Sequence, residues 1–142
     1  MTHSSYDVVE VVAMQLIGSD ASVIPVNAEL SFRTSDPYTV RAVFTGPHTM
    51  STWLIGRELL SMGMHATADA PAGSGDVQVW RDEDPDYALV SLSGVEGSAL
   101  LAAPSEPLIR FLAGTEALVP LGAESDRMES EISAFIAALL TA

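Results

Sequence analysis

Three groups of side chains in this sequence could do chemistry, and each has to be weighed against its neighbours. Histidine comes first, because it ligates metals and moves protons near neutral pH. His3 lies in a polar tail, His48 in a turn and His65 at the start of a loop. None stands near another ligand type at metal spacing, so solvated imidazoles are expected. Carboxylates come second. Asp82, Glu83, Asp84 and Asp86 crowd around Pro85 and superficially resemble a calcium loop, but the glycine and closing glutamate of an EF-hand are absent. The run reads as the solvated tip of a hairpin, and Glu129 and Glu131 likewise fall where exposed charge is expected. Third, Gly73-Ser74-Gly75-Asp76 has the composition of a phosphate-binding loop. It lacks the P-loop lysine and leads into an alternating strand pattern instead of a helix.

Absences narrow the chemistry further. There is no cysteine, which removes disulfides, zinc-thiolate sites and thiol nucleophiles, and there is no lysine. No serine stands in a Gly-x-Ser-x-Gly elbow. The expectation is a chain with no catalytic, cofactor-binding or metal-binding residues, and hence not an enzyme. The basic residues number six, all arginine (Arg33, Arg41, Arg57, Arg81, Arg110 and Arg127), against nineteen acidic ones, for a net charge of −13. Proteins that grip phosphates do so by releasing counterions through lysine and arginine. Nucleic acid and anionic membranes are therefore disfavoured, and a protein partner with a basic or neutral face is not.

The elements that would position these residues follow from apolar periodicity. The 142 residues suit one domain, residues 1–142, with nearly half the side chains apolar. No run approaches the roughly 20 apolar residues of a membrane-spanning helix, and Met1 to Asp7 lacks the features of a signal peptide, so a cytoplasmic chain is expected. Val8 to Ile17 reads as a strand. Ser22 to Thr34 reads as a second, with Pro25 marking an edge or a bend. Asp36-Pro37 reads as a turn, followed by a strand with Tyr38, Val40, Ala42 and Phe44 on its inner face. Gly46-Pro47-His48 breaks that run. Met50 to Ile55 is a fourth strand, and Arg57 to Met62 is a short helix stopped at Gly63.

His65 to Asp76 has the composition of a flexible loop. Val77 to Arg81 and Tyr87 to Leu92 form a hairpin around the acidic turn, and Ser98 to Ala103, after Gly94-Val95-Glu96-Gly97, reads as a third strand in preference to a short helix. Ser105 is the expected N-cap of a helix reaching Gly114. Leu118 to Gly122 reads as a linker. Asp126 with Glu129 makes a capping-box-like start to a last helix, whose stripe of Met128, Ile132, Phe135, Ile136, Leu139 and Leu140 suits a core or a subunit contact. Trp53, Trp80 and Tyr38 are assigned to packing, although Trp80 beside Arg81 also suits an interface.

Six segments carry a family resemblance: DPYTV (36–40), WLIGRELL (53–60), GSGDVQVW (73–80), LSGVEGSALLAAP (92–104), FLAGTEALVPLGAE (111–124) and the closing amphipathic helix. In this order and spacing they resemble the SsgA-like sporulation and cell-division proteins of actinobacteria, and most of all the SsgB branch. The chain departs from the family pattern at Gly56-Arg57-Glu58 and at Val95-Glu96-Gly97, where Ala-Arg-Asp and Pro-Glu-Gly are usual. The resemblance implies an α+β fold similar to the Whirly and mitochondrial guide-RNA-binding proteins, with two antiparallel β-meanders and helices, forming two sheets and assembling as a homotrimer. It implies recruitment of the tubulin-like GTPase FtsZ to sporulation septa, promotion of its assembly, and an SsgA-type family member as a second partner. No cofactor and no membrane insertion are implied. Arg57 and Glu58, taken as exposed on the short helix, are the expected partner contacts. Two rival readings carry different signatures. A single-stranded nucleic-acid binder on the same scaffold would bind with a steep salt dependence. A sibling controlling septal peptidoglycan synthesis or autolysis would act on a different partner.

Overall fold

A computed structural model describes residues 6–141, with the side chains of Arg127, Met128 and Glu131 outside the description. His3, Met128 and the Glu129/Glu131 pair considered above therefore fall wholly or partly outside the described residues. The chain runs β1 (Val8–Ile17), β2 (Val23–Arg33), β3 (Asp36–Thr45), β4 (Met50–Gly56), α1 (Arg57–Gly63), β5 (Val77–Arg81), β6 (Tyr87–Gly94), β7 (Gly97–Pro104), α2 (Ser105–Leu118) and α3 (Glu124–Leu140).

Both expected meanders form, but not as two sheets. β1 pairs with β7 through Gln15–Ala102, Leu16–Leu101 and Ile17–Leu100, which fuses them into one seven-stranded antiparallel sheet ordered β4-β3-β2-β1-β7-β6-β5. The physical reason is the second edge of β1. Left unpaired, a long apolar strand would present a row of orphan N–H and C=O groups. The sheet curls so that Trp53 on β4 borders the same hollow as Leu92, Ala99 and Leu101 on β6 and β7.

Alternation decides which side chains enter the core. Val12 and Met14, Ala28 and Leu30, Val40, Ala42 and Phe44, Ala88 and Val90, and Leu101 and Ala103 face inward from successive strands. Leu60 from α1 and Leu108, Phe111 and Leu112 from α2 close the core on the concave side. Two glycines permit this closure. A Cβ on Gly63 would lie 2.3 Å from Val79 Cγ1, so α1 sits flush on β5. A Cβ on Gly114 would come within 3.3 Å of Val8 Cγ1, and α2 runs through this glycine to Leu118 instead of stopping there.

Several boundaries differ from expectation. The β2–β3 turn is Thr34-Ser35, and Asp36-Pro37 already belongs to β3. Between the pairs Arg33–Asp36 and Ser31–Arg41, β3 sets Pro37, Tyr38, Thr39 and Val40 against Phe32 alone. This bulge accepts a proline that cannot donate to a ladder, and it turns Tyr38 out to solvent instead of into the core. Pro25 pairs with Gln15 where β2 runs past the end of β3, a local edge as expected. The segment 65–76 is pinned along β5. The Ala72 N–H donates to Val79 O at 2.9 Å, Val79 N–H returns to Ala72 O at 3.0 Å, and Arg81 N–H donates to Ala66 O at 2.9 Å. Ser105 is the first helical residue rather than the N-cap, and its hydroxyl donates to Pro85 O at 2.8 Å, holding the acidic turn. α3 begins at Glu124, ahead of Asp126, with Ala123 as N-cap and no side-chain capping bond.

Candidate partner-binding surface

The residues expected to meet a partner part company in the structure. Arg57, the first residue of α1, is 0% exposed, which corrects its assignment to the surface. Alternation along β4 and the start of α1 aim its side chain across the core toward the α2–α3 connection. Its Nη1 donates to Val119 O at 2.5 Å and to Thr115 O at 3.3 Å, and its Nη2 lies 3.3 Å from Glu124 Oε2. The guanidinium carbon sits 5.2 Å from the Phe32 ring centroid, and neither Nε nor Nη2 makes a hydrogen bond, Nη2 meeting Glu124 as an ion pair only. The buried cation is thus held by two carbonyls at Nη1, a carboxylate beside Nη2 and an aromatic face.

Glu124 completes this connection from the other side. Its Oε1 accepts the Gly122 N–H at 2.6 Å. Burial pushes the carboxyl pKa up, but the hydrogen bonds from its own backbone N–H and from Gly122, with the Arg57 guanidinium, outweigh that and hold it below the usual glutamate range. The first residue of α3 is therefore locked to the first residue of α1.

Glu58, the other expected contact, is exposed. It lines a hollow of about 350 Å³ with Tyr38, Met62 and Leu121, all three exposed, and with Ser61, Gly122 and Ser125. Tyrosine and methionine are enriched at protein interfaces, and a carboxylate beside them suits the rim. The sequence shows Glu58 on an exposed helix face but not that Tyr38 and Leu121 lie beside it, because a bulge and a loop, rather than spacing, bring them there.

A second exposed surface lies on α3. Ile132, Phe135, Ile136, Leu139 and Leu140 are exposed, Phe135 at 65% and Leu140 at 81%, so these five side chains lie outside the core of their own chain.

The other candidates stay apart. His48 and His65 are exposed in separate loops, and no group of three potential ligands gathers among the described residues. The loop at Gly73 to Asp76 runs into β5. In the acidic turn the Asp86 N–H donates to Asp84 Oδ1 at 3.0 Å and Arg81 Nε donates to Pro85 O at 2.8 Å. Trp53 packs against the core and Trp80 is half-buried. Among the described residues no helix is long and apolar enough to cross a membrane.

Known proteins share this fold. The family described as "Streptomyces sporulation and cell division protein, SsgA" matches residues 26–124. The sporulation-specific cell division protein SsgB of Streptomyces coelicolor is 40% identical over 129 residues, 87% of this chain and 91% of that protein. Its counterpart in Thermobifida fusca is 36% identical over 91% of this chain and 93% of its own length. The crystal structure of an SsgA-like sporulation-specific cell division protein from Thermobifida fusca superposes with a TM-score of 0.78 at 36% identity, over 96% of this chain and 98% of that one. A structure from a study of SsgB mutations that correlate with longitudinal cell division in Streptomyces coelicolor gives a TM-score of 0.76 at 37% identity, over 89% of this chain and 99% of that one.

Proposed function

Because the chain belongs to the SsgA family of sporulation and cell-division proteins, we propose that it is a non-enzymatic adaptor that recruits FtsZ and promotes its assembly at sporulation septa. It acts in the cytoplasm at the division site, placed there by an SsgA-type family member. It works as a homotrimer on a scaffold similar to that of the Whirly proteins, without their nucleic-acid binding, since a chain at −13 with no lysine has few cations to exchange for counterions.

The observation that carries the reading is the apolar stripe of α3, five large side chains exposed on a helix whose own core is complete without them. Such a face favours self-association. A trimer then displays several copies of the hollow around Glu58, Tyr38, Met62 and Leu121. Weak single contacts to a polymer become strong when several engage at once. The lock between Arg57 and Glu124 supports the arrangement, because it fixes where α3 departs relative to α1 and hence relative to Glu58.

The test is co-sedimentation with polymerising FtsZ from the same organism at two salt concentrations. GTP-dependent co-pelleting with increased polymer yield is the expected result. A protein that stays in the supernatant at both salts overturns the reading.

A further inference from the structure

The two end strands of the sheet are treated differently. The edge of β5 is covered by the segment 65–76 through the three backbone hydrogen bonds given above. β4 pairs with β3 alone, and among the described residues no backbone hydrogen bond outside that ladder engages Met50 to Gly56. Natural proteins blunt such edges with lysine, proline, charge or a bulge. β4 has none of these. Its sequence Met50-Ser51-Thr52-Trp53-Leu54-Ile55-Gly56 is uncharged, its register with β3 is unbroken from Gly56 to Met50, and Met50 and Leu54 are 70% and 69% exposed.

Features on both faces beside this edge indicate what it would accept. On the inner face, Trp53 and Ser51 border an apolar mouth of about 460 Å³ walled by Leu16, Ile24, Phe44 and Leu101. That mouth lies where β1, β3 and β6 end and β2, β4 and β7 begin. On the outer face, Arg41 stands directly across from Leu54. Arg33 and Arg41 converge on the Tyr6 ring, at 4.3 and 5.9 Å from its centroid. Asp36 lines the same hollow, yet no ion pair among the described residues engages either arginine. Two of the six cations of a strongly acidic chain therefore sit over an aromatic ring without an ion pair, in a hollow that Leu54 of β4 also lines.

We propose that β4 is a docking edge for an extended segment of a partner protein. The segment adds as a further antiparallel or parallel strand, sets a large apolar side chain into the mouth, and places an acidic side chain against Arg41 and Arg33. Main-chain hydrogen bonds supply affinity in this mode, and the alternate side chains supply specificity. The inference rests on the adaptor reading only for the source of the segment.

The test is binding of short synthetic peptides to the full chain, read by fluorescence anisotropy and by hydrogen exchange at Met50 to Gly56. The peptides alternate a varied apolar residue with threonine and end in aspartate. Controls carry lysine in place of aspartate, or N-methyl groups on alternate backbone amides. Expected are slowed exchange along β4, binding about tenfold weaker for the lysine peptide, and no binding of the N-methylated one. Arg41→Gln should erase the charge preference. Thr52→Lys, which guards the edge, should abolish binding with Tm unchanged. The inference is overturned if no peptide in the array protects β4 up to about 1 mM, or if N-methylation has no effect. It is also overturned if β4 is already protected in the free protein and loses protection on dilution, which would place a second copy on the edge. Peptide binding without any FtsZ pelleting would sink the adaptor reading and leave strand addition standing. FtsZ pelleting that survives Thr52→Lys, with β4 unprotected in the pellet, would do the reverse.

Discussion

Arg57 Nη2 lies 3.3 Å from Glu124 Oε2, which ties the first residue of α1 to the first residue of α3 inside the core. The two residues are 67 positions apart (124 minus 57), and the same guanidinium donates to the carbonyls of Thr115 and Val119 at the end of α2. One side chain thus organises all three helices. Removing one member of a buried pair leaves the other charged and unsolvated, which costs about 3–5 kcal/mol. Arg57→Ala is expected to lower Tm by about 10 °C or more in a thermal melt. An unchanged Tm would mean that the pair does not hold the helices.

The pH dependence of stability follows from the same pair. The folded-state pKa of Glu124 lies below the ordinary glutamate value. Its contribution is therefore fully present above the unfolded pKa, about 4.3, and is lost as pH falls through the folded value. Urea midpoints should be flat with respect to this group above about pH 5 and decline below about pH 4. The Glu124→Gln variant should show less of that acid-side decline than the wild type. Identical acid profiles for the two proteins would remove Glu124 from the account.

Gly63 offers a packing test far from any charge. An added methyl at 2.3 Å from Val79 Cγ1 cannot be accommodated without moving α1 off β5. Gly63→Ala should destabilise by about 1–3 kcal/mol through overpacking, despite the better helix propensity of alanine. A stabilised variant would show that α1 does not sit flush on the sheet.

The stripe on α3 predicts an unusual pairing of effects. Phe135→Glu places a charge on a face that is already exposed in the single chain, so it should leave circular dichroism unchanged at high dilution. It should abolish self-association in sedimentation velocity, shifting the mass to that of the monomer. A wild type that is itself monomeric would end the proposal that α3 assembles the protein.

Much of the fold was legible in the sequence. Period-two alternation marked β2, β3, β5 and β6, apolar runs between turn residues marked β1, β4 and β7 (the last against a short-helix alternative), helix formers marked α1, and helical spacing marked α2 and α3. What could not be read depends on contacts between distant segments. Fusion of the meanders rests on β1 and β7, about 85 positions apart at the Leu16–Leu101 pair. Propensity marks a strand but not its neighbour. Burial of Arg57 was missed because an arginine beside a glutamate on a short helix reads as solvated charge, and the carbonyls that receive it lie at and just past the end of α2. Tyr38 followed the alternation on paper and left it at the bulge. Glu58 was read correctly as exposed; its neighbours in the hollow come from three separate segments.

The most direct test of the adaptor account is pelleting with GTP-polymerised FtsZ, titrated with wild type and with Phe135→Glu at equal protomer concentration. The account predicts that the wild type saturates at protomer concentrations at least about tenfold lower, because its several binding surfaces engage one filament together. Equal titration curves from a trimeric wild type and a monomeric variant would contradict it, and would show that each chain acts alone.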